Sequence, residues 1–336
     1  MRRVLAGVLI AVLAMLSACS DDKRKEPGPP PAPDLSARPQ AVAVQAGPFA
    51  AGPFAPPAEG AYVGAWIKPE ELTHVGRLEA VGALESSLGR RLDILNTYRR
   101  FDQMVGTESD QEFLAQGQSL MISWATGDNR SILDGEHDRL IRQQARAIRK
   151  IKDPVLLRMR WEMDRPNLRA TMWSGEDYIA AWKYVRAIFK KEHADNVSWV
   201  WCPTAEGFQR GEAADFYPGD DQVDWTCVDV YAGATFQPIG ELMGPFLQWA
   251  AQHPKPIIIG EFGVAKAWGS ANRAAWLKDA ERTFKVNRQI KAVAYFESDP
   301  EGNGPNQQFQ LSGDRQAFGA FHSLVKDPYF NAGRLN

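Results

Sequence analysis

The sequence predicts an α/β fold, a single (β/α)8 TIM barrel, on three observations. Eight short runs rich in β-branched and apolar residues alternate with longer stretches of helical apolar spacing. Several of the runs are nearly continuous in hydrophobicity, as strands require when helices cover the outside of a parallel sheet. No Gly-x-Gly-x-x-Gly or phosphate loop follows the first run, which favours a closed barrel over an open doubly wound sheet with the same local pattern.

In chain order, residues 1–18 read as a signal peptide: a positive start at Met1 to Arg3, an apolar core from Val4 to Leu16 and a small-residue site before Cys19. The apolar core is too short for an ordinary transmembrane helix. Leu16-Ser17-Ala18-Cys19 resembles the bacterial lipobox, which implies cleavage before Cys19, lipidation of that cysteine and a membrane-anchored position in the cell envelope. Ser20 resembles the signal for outer-membrane sorting; a plain secretion signal with an incidental Cys19 is the alternative. Residues 19–59 then provide the lipid attachment and a Pro-rich tether, in which AGPFA occurs twice in tandem at 46–50 and 51–55. Proline at this density favours extended backbone. Packing of the two phenylalanines on the domain as a strap is the other reading.

Residues 60–336 are expected to form the barrel as one domain. Strands are expected at 61–66, 92–98, 119–124, 155–161, 197–202, 223–230, 256–261 and 292–296. Helices are expected at 69–88, 138–151, 174–193, 239–252, 272–286 and 315–325. Pro69, with Glu70 and Glu71 behind it, reads as the start signal of the first helix.

Glu162 and Glu261 close the fourth and seventh runs. Strand ends of such a barrel open into its active site, so two acids there point to glycoside hydrolysis. One carboxylic acid must protonate the leaving alkoxide while the other, ionised, attacks the anomeric carbon. A formal net charge of -2 makes no electrostatic case for nucleic acid. The five histidines form no short-spaced ligand cluster, so neither a metal nor an organic cofactor is expected. The 11 Trp, 8 Tyr and 16 Phe are ample for facing sugar rings.

Four ordered segments resemble glycoside hydrolase family 26, a clan A family of β-mannanases, β-glucanases and β-xylanases. Arg158-Met159-Arg160-Trp161-Glu162-Met163-Asp164 resembles its Arg-Pro-Phe-His-Glu-Met-Asn, and Trp199 to Pro203 its Trp-Val-Trp-Ser-Pro. Tyr217 to Trp225 resembles its Tyr-Pro-Gly-Asp-x-x-Val-Asp-Trp, and Pro256 to Gly263 its nucleophile strand. The resemblance implies that Glu162 is the general acid/base, that Glu261 is the nucleophile and that Tyr231 stands beside it. It implies a retaining, endo-acting enzyme that cleaves a β-linked polysaccharide of β-mannan or β-glucan type by double displacement. The barrel is expected to be monomeric.

Other positions keep two readings each. Arg158 either orients the acids or forms a structural ion pair, and Asp229 serves either substrate or internal support. Trp66, Trp161 and Trp201 are sugar platforms or fillers of the barrel mouth. Cys202 and Cys227 are a disulfide or two buried thiols. Trp161 stands where the family has His, Asp164 where it has Asn and Arg165 where it has Gly, so the sugar site next to the cleavage point is expected to be remodelled. A non-catalytic polysaccharide-binding or assembly lipoprotein, or a transglycosylase, is the alternative function.

Overall fold

A computed structural model describes residues 34–35, 39–43 and 49–331. The expected signal peptide and Cys19 lie outside the described residues. Eight parallel strands close into a barrel in chain order: β1 Tyr62–Ile67, β2 Ile94–Arg100, β3 Ser119–Ala125, β4 Val155–Met159, β5 Val197–Trp201, β6 Trp225–Ala232, β7 Ile257–Val264 and β8 Ile290–Glu297. The helices are α1 His74–Leu88, α2 Glu108–Ala115, α3 Asn129–Leu133, α4 Asp138–Ile151, α5 Arg169–Met172, α6 Gly175–Lys191, α7 Ala205–Gln209, α8 Ile239–Leu242, α9 Gly244–Ala250, α10 Gly269–Val286 and α11 Arg315–Lys326. None among the described residues is long and apolar enough to cross a membrane.

Every expected strand is present, with shifted ends. The fourth stops at Met159 instead of 161 because Arg160 and Glu162 take positive φ, 42° and 55°, which turns the chain off the strand. The first helix begins at His74, not 69: the hydroxyl of Thr73 accepts the Gly76 N–H and sets the start, leaving Glu70 and Glu71 outside. The expected helix at 239–252 is two, divided at Met243 with Pro245 in the first turn of the second.

Side chains alternate in and out along each strand, so the barrel interior can be read in layers. The lower layer is apolar: Ile94, Met121, Leu156, Trp225, Ile258 and Ala292. Above it the same faces carry Asn96, Ser123, Arg158 and Asp229, all buried. On β7 the pairing slips between Ile259 and Phe262 towards β8, and β6 slips at Val228/Asp229. This bulge turns both Gly260 and Glu261 inward. A Cβ at Gly260 would stand 2.4 Å from Cys227 Sγ, 2.7 Å from Asp229 Oδ1 and 2.9 Å from Arg158 Nη1, so only glycine leaves room for the polar layer.

The second AGPFA copy packs under the barrel as a strap. Ala51 and Phe54 are buried against the lower layer. The Phe54 N–H donates to Ser198 Oγ at 2.8 Å, and that hydroxyl donates to the Ala51 carbonyl at 2.9 Å. Trp225 Nε1 donates to the Ala51 and Phe54 carbonyls, both at 3.1 Å. Residues 51–54 are thus packed on the barrel rather than held away as a tether, and the folded unit starts before the expected boundary at Gly60. Just past β5 and on β6, Cys202 and Cys227 form a disulfide with Cα atoms 4.3 Å apart, the bonded alternative of the two left open.

Candidate active site

Glu162 is placed by the turn after β4. The Arg160 N–H donates to the Trp124 carbonyl of β3 at 2.9 Å and the Glu162 N–H to the Cys202 carbonyl at 2.7 Å, so both neighbouring strands pin the turn. Glu261 rises from β7 at the bulge. Both acids are nearly covered, 7% and 5% exposed. One carboxylate oxygen from each of Glu162, Glu261 and Asp229 lies within 4.8 Å of the other two.

Three donors converge on Glu261: the hydroxyls of Tyr98 and Tyr231, each at 2.5 Å, and Arg158 Nη2. An acceptor-only carboxylate is the state that suits three donors. Arg158 is fully buried, gives Nη1 to both oxygens of Asp229 at 2.8 Å and Nε to Ser123 Oγ at 2.8 Å. Burial works against its charge, but Asp229 and Glu261 hold it above the ordinary arginine value. One guanidinium thus ties Glu261 to Asp229. Asp229 is buried, with both its oxygens on Arg158 Nη1. The guanidinium already supplies the cation among these acids.

Glu162 has the opposite environment. Burial, and then the charge of Glu261, pushes it from 4.5 up to about 8, with Arg165 and Arg158 opposing. Arg165 Nη1 lies 3.0 Å from Glu162 Oε2. The two carboxyls thus stand in different environments, Glu162 raised by burial and Glu261 faced by three hydrogen-bond donors, which is the division that acid–nucleophile catalysis needs. Burial and then Glu261 also raise Tyr98 and Tyr231 well above the usual phenol value, so both remain donors.

A cleft of about 920 Å³ opens over these groups. Trp66, Tyr98 and Trp161 line one part of it, with ring centroids 4.9 and 5.0 Å apart, and Tyr231, Phe296 and Phe309 another. Trp66 and Trp161 are where sugar platforms would be. Trp201 is not: it is fully buried on the outside of β5 against Phe208, Tyr217 and Trp249, because Ser198 and Val200 take the inward positions of that strand's alternation. Tyr98 was missed by the sequence reading, although Ile94, Asn96 and Tyr98 form the inward set of β2 and end at the mouth. Asp164 is a brace outside the acid pair, accepting the Thr204 N–H at 3.0 Å and the Thr204 hydroxyl at 2.5 Å.

A closed parallel barrel that sets one acid after β4 and another on β7, within one aromatic cleft, defines the class of barrel glycoside hydrolases. The chain belongs to glycosyl hydrolase family 26, whose model matches residues 114–299. It is 27% identical to Endoglucanase H of Acetivibrio thermocellus over 262 residues, 71% of this chain and 28% of that protein. It is 31% identical to the beta-1,3-xylanase TXYA of a Vibrio species over 144 residues, 40% of this chain and 29% of that protein. The chain therefore spans under a third of the length of these relatives. In fold it matches a family 26 beta-mannanase from Bacteroides ovatus at a TM-score of 0.60 and 17% identity, covering 81% of this chain and 90% of that one.

Proposed function

We propose that the chain is a retaining, endo-acting β-glycanase that works by double displacement. The observation that carries this is the division of the acid pair: Glu162 raised to about 8 by burial and Glu261 held by Arg158, Tyr98 and Tyr231, with oxygens within 4.8 Å. Retaining enzymes hold their carboxyl groups about 5–5.5 Å apart, whereas inverting ones leave about 6.5–9.5 Å for a water. In the first step a Glu261 oxygen bonds the anomeric carbon as the glycosidic C–O bond breaks and the Glu162 proton passes to the leaving oxygen. In the second, Glu162 takes a proton from water, the water oxygen bonds the anomeric carbon, and Glu261 leaves as carboxylate. The configuration is inverted twice and so retained.

The substrate is a β-linked polysaccharide of the glucan, mannan or xylan type, a range that follows the activities named for the relatives. Trp161 in the place of the family's histidine, its ring tilted against Tyr98 with centroids 5.0 Å apart, favours a ring-stacking subsite over the directional hydrogen bond of an imidazole. Reducing-end release from β-mannan, β-glucans and β-1,3- and β-1,4-xylan, beside Glu162→Gln and Glu261→Gln, tests the proposal. Release lost in both variants is the expected result. Binding without release by the unaltered chain would instead favour the non-catalytic reading, and lengthened products a transglycosylase.

We further propose that the exported protein is held by a lipid on Cys19 at the envelope, through the residues ahead of the strap, and acts as a monomer without cofactor. The support is the lipobox-like Leu16-Ser17-Ala18-Cys19. Labelling of the chain by radioactive palmitate, abolished by Cys19→Ala, checks the anchor; labelling that survives the substitution would refute it.

A further inference from the structure

Trp173 is the one exposed aromatic side chain among the described residues, 48% accessible, and it closes the short helix α5 in the segment between β4 and α6. That segment begins with the cleft residues Trp161, Glu162 and Arg165, so Trp173 lies on the same barrel face as the cleft, though outside its lining. Three features set it apart from an incidental surface residue. Its backbone has φ 62° and ψ -84°, a positive-φ conformation that is rare and strained for a bulky residue. Its indole N–H donates to Asp128 Oδ2 at 2.6 Å. The Arg130 guanidinium lies 4.1 Å from the ring centroid.

The partners are themselves fixed. Asp128 caps α3 by accepting the Arg130 and Ser131 N–H groups, both at 3.0 Å, and Arg130 reaches Asp177 at the start of α6 at 3.3 Å. The indole is thus tied at its edge and backed by a guanidinium, in a turn that holds strain. Exposure of a single ring is ordinary; what marks this one is that a strained backbone, an edge hydrogen bond and a guanidinium together hold it in one orientation. With one face of the ring backed by Arg130, the opposite face fits the C–H face of a pyranose ring, while Asp128 at the indole edge can accept from the sugar's hydroxyls. Because the ring is already immobilised, binding loses little rotamer freedom.

We infer that Trp173, with Asp128 and Arg130, forms a saccharide-binding platform separate from the catalytic cleft that holds a distal stretch of the β-linked polymer. The inference rests on the proposed glycanase reading for the class of its ligand. The test uses the chain carrying Glu261→Gln, so that polymer is bound and not cut, in affinity electrophoresis through β-mannan, mixed-linkage β-glucan, β-1,3-xylan and β-1,4-xylan. Adding Trp173→Ala is expected to weaken retardation by at least one polymer about tenfold, and Trp173→Tyr, which keeps a ring, to restore most of it. Circular dichroism of both variants confirms the fold. Equal retardation with and without Trp173→Ala overturns the inference, as does a parent that no polymer retards. Reducing-end release by the unaltered chain reads the glycanase proposal separately, so a platform that fails and a hydrolase that fails are told apart.

Discussion

At the scale of single residues the site is a contest over two protons. Arg165 lies 3.0 Å from Glu162 and opposes its raised pKa, while burial, Glu261 and Asp164 drive it upward. The alkaline limb of kcat/KM should therefore fall near pH 8, where Glu162 loses the proton it must donate. Removing Arg165 takes away a positive charge that favours the ionised form, so Arg165→Ala is expected to move this limb to higher pH while Arg165→Lys keeps it near its place. An unmoved limb in the alanine variant would mean that Arg165 does not act on the acid. Tyr98→Phe and Tyr231→Phe each delete one donor to Glu261. Each is expected to lower kcat/KM by roughly 10- to 100-fold, since a hydrogen bond to a charged group contributes about 1.5–3 kcal/mol. Steady-state kinetics on the polymer found to be cleaved decides this, and a loss under threefold would remove that tyrosine from the nucleophile's support.

At the scale of elements the strap is the part whose contribution is most open to measurement. Phe54 packs 5.8 Å from Trp225 and 5.6 Å from Tyr62, closing the lower end of the barrel. Phe54→Ala is expected to cost about 3 kcal/mol, the lower part of the range for a buried phenylalanine, and to lower the Tm by several degrees. A chain starting at Gly60 should melt lower than one starting at Phe49; equal melting would show that the lower layer closes without the strap. The same segment explains where the sequence was hard to read. Prolines and glycines speak only against regular structure, and nothing local says that a loop's phenylalanine meets an indole more than a hundred residues away. The strands were legible because burial on both faces leaves a continuous apolar run. Their ends were less so, since the turn with positive φ at Arg160 and Glu162 is held by bonds to Trp124 of β3 and to Cys202 just past β5. Trp201 was misplaced because aromatic character says nothing of facing, while the alternation of Ser198 and Val200 does. The β7 bulge breaks that alternation, so the inward position of Glu261 could be taken from the motif's resemblance but not from counting by twos.

For the whole molecule, the chemistry of the site is set against the stability of the fold. Burial raises Glu162 from 4.5 to about 8 and Glu297, which accepts the Leu311 N–H beside α11, from 4.5 to about 7. A carboxyl whose pKa is higher folded than unfolded adds stability that is fully present below the unfolded value and is lost as pH rises through the folded one. The window here runs from about 4.5 to about 8, and the loss over it is on the order of a few kcal/mol for each buried acid. Exposed carboxyls such as Glu301, lowered by its hydrogen bond from Lys68, act in the opposite sense but at more acid pH and under solvent screening. The unaltered chain is therefore expected to melt at progressively lower temperature between pH 5 and pH 8.5. Glu162→Gln keeps the shape of the side chain and has no charge to bury. It should match the unaltered chain near pH 5, melt several degrees above it at pH 8.5 and have lost hydrolysis at both. Such a result would identify the acid as a residue kept at the expense of stability, as sites that hold a buried ionisable group do. Scanning calorimetry of the two chains across this range gives the answer directly: a constant difference in Tm with pH would mean that Glu162 titrates alike in the folded and unfolded states, and the raised acid would no longer account for the division of labour in the pair.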